Sequence, residues 1–201
     1  MILENKLNIT DQLELAQAEE KISKRKARLL YDSGAIANAE VGTFAGLAFI
    51  HAWLFEDIYD FAGKIRTVNI AKGNFRFAPV MYLEQALKHI DTMPQGDFDR
   101  IIEKYVEMNI AHPFREGNGR AARIWLDLIL KAELKQVVDW NRVDKDEYLS
   151  AIERSEVKDI EIKALLKEAL TAEIHDRVLF MKGIDVSYFF EGYGEYRTAD
   201  I

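Results

Sequence analysis

The stretch from Ile110 to Leu130, IAHPFREGNGRAARIWLDLIL, sets the strongest limit on what this chain can fold into. Pro113 disfavours the helical region for His112, so a helix running up to Ala111 has to stop there and leave the imidazole at its tip. Gly117-Asn118-Gly119 makes a turn that needs unusual backbone angles, and the good helix formers from Arg120 onward begin a new helix at once. Arg120, Arg123, Asp127 and Lys131 form a single polar stripe on that helix, whose other positions are apolar. A helix apolar over most of its circumference must be surrounded by other elements. Its two arginines must then face a polar cavity or paired charges, because an isolated buried charge is strongly unfavourable. A flexible turn feeding a helix N-terminus is also an anion site, where free backbone N–H groups and the positive dipole end converge and Arg120 adds its charge.

The remainder of the chain can supply those surroundings. Its 201 residues, 49% of them hydrophobic, are enough for one well-buried core. Only three prolines, with many Ala, Leu, Glu and Lys, favour helices. A net charge of −7 argues against a nucleic-acid-binding surface. The absence of cysteine removes disulfides, thiol catalysis and the usual zinc sites. The longest nearly apolar run, Phe44 to Phe55, is interrupted by His51 and is shorter than a membrane span, and the first residues lack the charged-then-apolar order of a signal peptide. The expectation is a cytoplasmic protein with neither a membrane nor a nucleic-acid partner.

Along the chain, Asp11 with Glu14 is a capping-box pattern that opens a helix to about Tyr31, closed by Asp32-Ser33-Gly34. Its charge run from Lys21 to Arg28 reads as a solvated face. The segment from Asn38 to Phe55 is apolar on most sides and reads as a buried helix, with His51 a hydrogen-bonded core residue. Between Phe61 and Pro79 the pattern turns extended: Val68 and Ile70 alternate, Lys72-Gly73-Asn74 supplies a turn, and Phe75 and Phe77 alternate again, which predicts a hairpin. Tyr82 to Thr92, Phe98 to Ala111, Asp144 to Glu153 and Asp159 to Leu170 read as helices. Gly183-Ile184-Asp185 is expected to break a helix ending near Lys182. Ser187 and Glu191 then stand four apart, one more than a capping box, so the glutamate is expected to project from a helix face.

The central stretch resembles the signature of the Fic family, His-x-Phe-x-Asp/Glu-Gly-Asn-Gly-Arg-x-x-Arg, with His112, Phe114, Glu116, Gly117, Asn118, Gly119, Arg120 and Arg123 in every constrained position. Asp60 to Arg66 looks like that family's run into its flap. Ser187, Glu191 and Gly192 resemble its inhibitory motif Ser/Thr-x-x-x-Glu-Gly/Asn, placed at the chain's end as in class III members. The resemblance implies an all-α Fic-type fold with a short β-hairpin flap beside the active site. It divides the chain into an N-terminal helix at 1–35, a core at 36–172 with the flap at about 65–79, and a C-terminal segment at 173–201 that carries the inhibitory helix.

It further implies an enzyme that transfers AMP from ATP to a Ser, Thr or Tyr hydroxyl of a target protein. The target would dock along the flap by main-chain pairing. In several class III relatives it is a type II topoisomerase subunit, and such relatives tend to form homo-oligomers. In this chemistry positioning and charge neutralisation dominate. His112 would accept the hydroxyl proton, and Glu116 would hold Mg²⁺ as a hard oxygen ligand. Gly117, Asn118 and Gly119 would supply backbone donors to the phosphates, with Arg120 and Arg123 on the β- and γ-phosphates. Asn109, one helical turn before His112, and Lys72 and Gly73 at the flap tip would also touch the nucleotide. Glu191 would pair with Arg123 and deny ATP its productive geometry. The alternative is an enzyme that removes AMP from modified protein with Glu191 as base. Tyr188 and Tyr193 are candidate sites of self-modification.

Overall fold

The computed structural model describes residues 2–72 and 75–201. Eight α-helices account for most of them: α1 Gln12–Asp32, α2 Phe44–Phe55, α3 Val80–Thr92, α4 Phe98–Ala111, α5 Asn118–Leu134, α6 Lys145–Arg154, α7 Ile160–Glu168 and α8 Arg177–Phe190. The starts of five are written in short-range chemistry, Asp176 capping α8 through the N–H groups of Val178 and Leu179. Asp11, Asp97 and Asp144 each accept a hydrogen bond from the first turn of the helix that follows, and the Thr43 hydroxyl accepts from Gly46. The buried α2 therefore begins at Phe44 rather than near Asn38, because Ala35–Asn38 forms a 3₁₀ turn and Thr43 is the cap.

As its composition requires, α5 lies at the centre. It packs against α2, α4 and α8, and Ala121, Trp125, Leu126, Ile129 and Leu130 are fully buried. Around it sit Leu47, Ile50 and Leu54 of α2 and Ile101, Ile102 and Tyr105 of α4. The expected hairpin is present but shorter than its pattern: β1 Ala71–Lys72 pairs antiparallel with β2 Phe75–Arg76, with Ala71 opposite Arg76. Val68 and Ile70 lie outside the ladder. Below the strands, side chains take its place: Arg66 binds the carbonyls of Val68 and Ala78, and Asn69 accepts from the Val80 N–H at 2.9 Å. A second two-residue pair, β3 Val137–Val138 with β4 Leu170–Thr171, was not anticipated. It takes Leu170 out of the helix assigned to it, so α7 stops at Glu168.

Two further expectations are corrected. The charged face of α1 is not wholly solvated, since Glu19, Glu20 and Lys24 are all buried. Lys24 Nζ lies 2.9 Å from Glu20 and 3.2 Å from Asp185 and donates to the Tyr196 carbonyl, because α8 and the residues after it pack across that face. Gly183 does not break α8 either. The helix runs through it, and a Cβ there would stand 3.2 Å from Trp140 Cδ1, so the glycine makes room for an indole. That indole is held by its Nε1–H, which donates to Asp127 at 2.8 Å, so it cannot retreat. Gly183→Ala is therefore expected to lower the unfolding free energy by about 1 kcal/mol, where a solvent-facing glycine in a helix would gain about as much from the same change. Denaturant titration of the two proteins checks the sign.

Candidate active site

The α4–α5 junction ends and begins where the sequence requires, with one difference in detail. His112 does not turn extended before Pro113; it takes the left-handed conformation at φ 49°, ψ 63°. Its backbone N–H still closes on the Met108 carbonyl at 3.0 Å, an αL cap that satisfies the helix end. The imidazole stacks on Phe77 from the flap, with centroids 3.6 Å apart. Its Nδ1 lies 3.3 Å from the Asn109 carbonyl. A carbonyl can only accept, so in this contact Nδ1 is the donor, and in the neutral ring the basic nitrogen is then Nε2.

The loop that follows is rigid by its bonding. Asn118 Oδ1 accepts from the Phe114 N–H and Nδ2 donates to the Phe114 carbonyl, both at 2.8 Å, so its side chain clamps the loop and leaves only its backbone for a ligand. Phe114 is fully buried and stacks on His51 with centroids 3.8 Å apart. His51 is structural, as expected. Its Nδ1 accepts from the Gly63 N–H at 2.9 Å, so Nε2 donates to the Glu116 carbonyl at 2.8 Å. Burial pushes its pKa down to about 3, which keeps it neutral. Gly117 has a φ of +78°, and a Cβ there would lie 2.5 Å from the Phe55 ring.

α5 starts at Asn118, two residues earlier than its helix formers suggest, and its first N–H groups open into a cavity of about 820 Å³. That volume lies within the roughly 300–1,000 Å³ common for small-molecule sites. His112, Asn109, Glu116, Gly117, Asn118, Gly119, Arg120, Arg123 and Glu191 all line it. The flap contributes Ile70, Ala71 and Phe77. Gly73 and the Lys72 side chain lie outside what the structure describes. One wall was missed altogether: Tyr148, Leu149 and Ile152 of α6 add an apolar surface that no local signal marks as a site.

The two arginines behave differently. Arg123 is buried and triply held: Nε donates to Ser187 Oγ at 2.7 Å, and Nη2 reaches the Ser187 carbonyl at 2.9 Å and Glu191 Oε1 at 2.8 Å. Glu191 is the C-cap residue of α8, not a mid-helix position, and its carboxylate lies over the start of α5, where a Cβ on Gly119 would come within 2.4 Å of Oε1. The φ of +92° at Gly192 turns the chain away behind it. Arg120, expected to reach phosphate, has a guanidinium with no exposed surface; it pairs with Glu19 of α1 and, at 3.0 Å, with Glu116. Of the two tyrosines expected as self-modification sites, Tyr188 is buried, whereas Tyr193 is half-buried at the cavity wall and donates its hydroxyl to Glu19 at 2.7 Å.

Arg66 was not picked out from the sequence. It is buried; Nε donates to the His112 carbonyl at 2.8 Å, the two Nη atoms reach the carbonyls of Val68, Ala78 and Ala111, and its own N–H donates to the Pro113 carbonyl. It thus ties the base of the flap to the tip of α4. No local signal sets it apart, since Asp60 and Lys64 in the same run into the flap are charged as well. Arg66→Met should reduce unfolding free energy by about 2 kcal/mol by leaving buried carbonyls without donors. A change below about 0.5 kcal/mol in chemical denaturation would remove this role.

Among the described residues, no three His, Cys, Asp or Glu side chains form a group able to hold a metal ion. The Glu116 side chain is 44% exposed, and both of its donors, Arg120 Nη2 and the Gly117 N–H, bind Oε1. Oε2 is the hard oxygen left over, a donor of the kind that would suit Mg²⁺, with the rest of its ligands coming from outside the protein. No helix is long and apolar enough to cross a membrane among the described residues.

Residues 43–130 match the Fic/DOC family. The protein adenylyltransferase VbhT of Bartonella schoenbuchensis is 31% identical over 199 residues, covering 92% of this chain, and the chain spans 40% of that relative's length. The probable protein adenylyltransferase Fic of Escherichia coli is 27% identical, covering 86% of this chain and 88% of its own. Among solved structures, BepC of Bartonella tribocorum with bound AMPPNP superposes with a TM-score of 0.68 at 19% identity, over 85% of this chain and 93% of that one. The N-terminal Fic domain of a Bep effector from Bartonella sp. AR 15-3 gives 0.69 at 18%, over 85% and 88%. At such identities these structures speak for the fold. Sequence match and fold agree on the segment that carries the loop between α4 and α5, and residues 43–130 of this chain are a Fic/DOC family domain.

Proposed function

We propose that this chain is a protein adenylyltransferase that moves AMP from ATP to a Ser, Thr or Tyr hydroxyl of a target protein, and that its C-terminal segment, residues 173–201, holds it in check through Glu191. The observation that carries the reading is the Arg123–Glu191 contact of 2.8 Å beside the first turn of α5, in the same cavity as His112. The names of the curated relatives support the activity.

In the reaction the target hydroxyl oxygen bonds to the α-phosphorus, the bond from that phosphorus to the β-phosphate bridge breaks, and pyrophosphate leaves. His112 Nε2 takes the hydroxyl proton, with Nδ1–H anchored on the Asn109 carbonyl. The free N–H groups at the start of α5 and the Arg123 guanidinium bind the phosphate tail. Glu116 would hold Mg²⁺, which would supply charge neutralisation to the phosphates. The residues around the Ile70–Ala71 side of the flap receive an extended target segment by strand addition. Glu191 occupies Arg123 and the α5 N-terminus, so ATP either loses a partner for its terminal phosphate or must displace the carboxylate. A type II topoisomerase subunit as target, and a homo-oligomer that steadies α8, complete the reading.

The test is incubation of the Glu191→Gly protein with α-labelled ATP and a cell lysate, followed by identification of labelled bands and residues. Label on hydroxyl side chains, absent with His112→Ala, is the expected result. Release of AMP from modified protein in the absence of ATP, without transfer, would favour a hydrolase that uses Glu191 as its base.

A further inference from the structure

Arg120 raises a question that the nucleotide reading leaves open, because its guanidinium is fully buried while its neighbour Glu116 is the candidate cation ligand. The answer lies on α1, outside the segment that matches the family. Glu19 is 2% exposed, and its carboxylate pairs with Arg120 Nη1 and accepts the hydroxyls of Tyr59 and Tyr193. Burial by itself would raise its pKa, but the Arg120 charge and these three donors outweigh that and hold it below its ordinary value. Arg120 is further enclosed by the rings of Tyr193, Phe55 and Tyr188, at 4.7, 4.9 and 5.2 Å from its central carbon. Its Nε has no hydrogen-bond partner among the described residues, so the plane of the group is set by the two carboxylates and the rings.

We propose that Glu19 is a positioning residue of the AMP-transfer site: by neutralising and fixing Arg120 from α1, it lets Arg120 Nη2 orient Glu116 without consuming Glu116's charge. This rests on the reading of Glu116 as the cation ligand. The physical reason is a charge count. Arg120 cannot lose its proton, and a buried guanidinium demands one full carboxylate. Glu19 provides it. The Glu116 carboxylate, bound through Oε1 alone, then keeps Oε2 and its negative charge for a cation. Without Glu19, Glu116 becomes the counter-ion that Arg120 lacks and is drawn to it. Arg120 is the group directly behind the candidate ligand, where changes commonly alter metal affinity by about 10–100-fold, and losing Glu19 acts through it by turning the Arg120 charge onto Glu116.

The decisive experiment uses full-length protein carrying Glu191→Gly as the parent, so that the anion site is open. Mn²⁺ binding is measured by electron paramagnetic resonance in the presence of a non-hydrolysable ATP analogue, alongside melting temperature and the metal dependence of transfer. Glu19→Gln should raise the Mn²⁺ dissociation constant about tenfold or more, and Glu19→Asp, which keeps the charge, should stay within about threefold of the parent. A Glu19→Gln protein that melts lower but binds Mn²⁺ within about twofold of the parent would overturn the proposal and leave Glu19 as a stabilising residue only. Should Glu19→Gln fail to fold, the double variant Tyr59→Phe/Tyr193→Phe keeps both charges and removes two of the donors that fix Glu19. It should shift Mn²⁺ affinity in the same direction by about threefold, and no shift would overturn the proposal. Glu116→Gln separates the layers: if it leaves Mn²⁺ binding intact, the cation role of Glu116 is wrong and the Glu19 proposal falls with it.

Discussion

Replacing His112 by asparagine is expected to lower AMP transfer by about 10²- to 10⁴-fold, the contribution of a positioned general base. The choice of asparagine follows from the backbone. His112 sits at φ 49°, a left-handed conformation that asparagine adopts more readily than most residues, so the substitution removes the base without forcing the α4 cap open. The ring's contact with Phe77 is also lost, which should cost no more than about 1 kcal/mol of stability. Nothing in the His112 side chain is needed to hold the α5 N-terminus or Arg123, so ATP affinity should stay within a few-fold of the parent. The measurement is single-turnover label incorporation in the Glu191→Gly background, paired with nucleotide titration. Transfer within tenfold of the parent would mean that another group takes the proton, and the assignment of Nε2 as base would be abandoned.

Replacing Glu191 by glycine should raise transfer by roughly 10- to 100-fold, because one charge-assisted hydrogen bond to a buried arginine is worth about 1.5–3 kcal/mol, and ATP no longer has to displace it. The carboxylate does two things at once: it bonds Arg123 Nη2 at 2.8 Å, and it lies over Gly119, where phosphate oxygens would meet the first N–H groups of α5. Removing it frees both. Arg123 keeps Ser187 Oγ and the Ser187 carbonyl, so it remains in place to receive phosphate. The Glu191 side chain is 21% exposed but Arg123 is only 3% exposed, so losing the carboxylate should lower apo stability by about 1–3 kcal/mol, a deficit that bound nucleotide phosphate should offset. An unchanged rate at equal protein and ATP would show that Glu191 does not control access to Arg123. A rise that vanishes when Arg123 is also replaced would not distinguish release from disruption; the ATP dependence does, because release should act mainly by opening a productive binding mode.

Sequence by itself determined whatever acts within about one helical turn. The His112-Pro113 stop, the aspartate caps at 11, 97 and 144 and the near all-round apolar α5 are local chemistry and stand where their patterns put them, while of the expected Gly117-Asn118-Gly119 turn only Gly117 stays outside the helix, as its cap. The eight motif positions follow from that, since they occupy one loop and the first turns of one helix. Only the tertiary structure decided what each charge faces. Glu19 meets Arg120 across 101 residues, Lys24 is covered by α8 and the chain beyond it, and Arg66 finds carbonyls on both sides of the flap. Gly183 followed the same rule, breaking the helix in the local pattern and making room for Trp140 in the packed one. The reason is energetic: a cap or a proline acts on its own backbone whatever lies around it, whereas a charge or a missing Cβ has no fixed meaning until a distant element buries it.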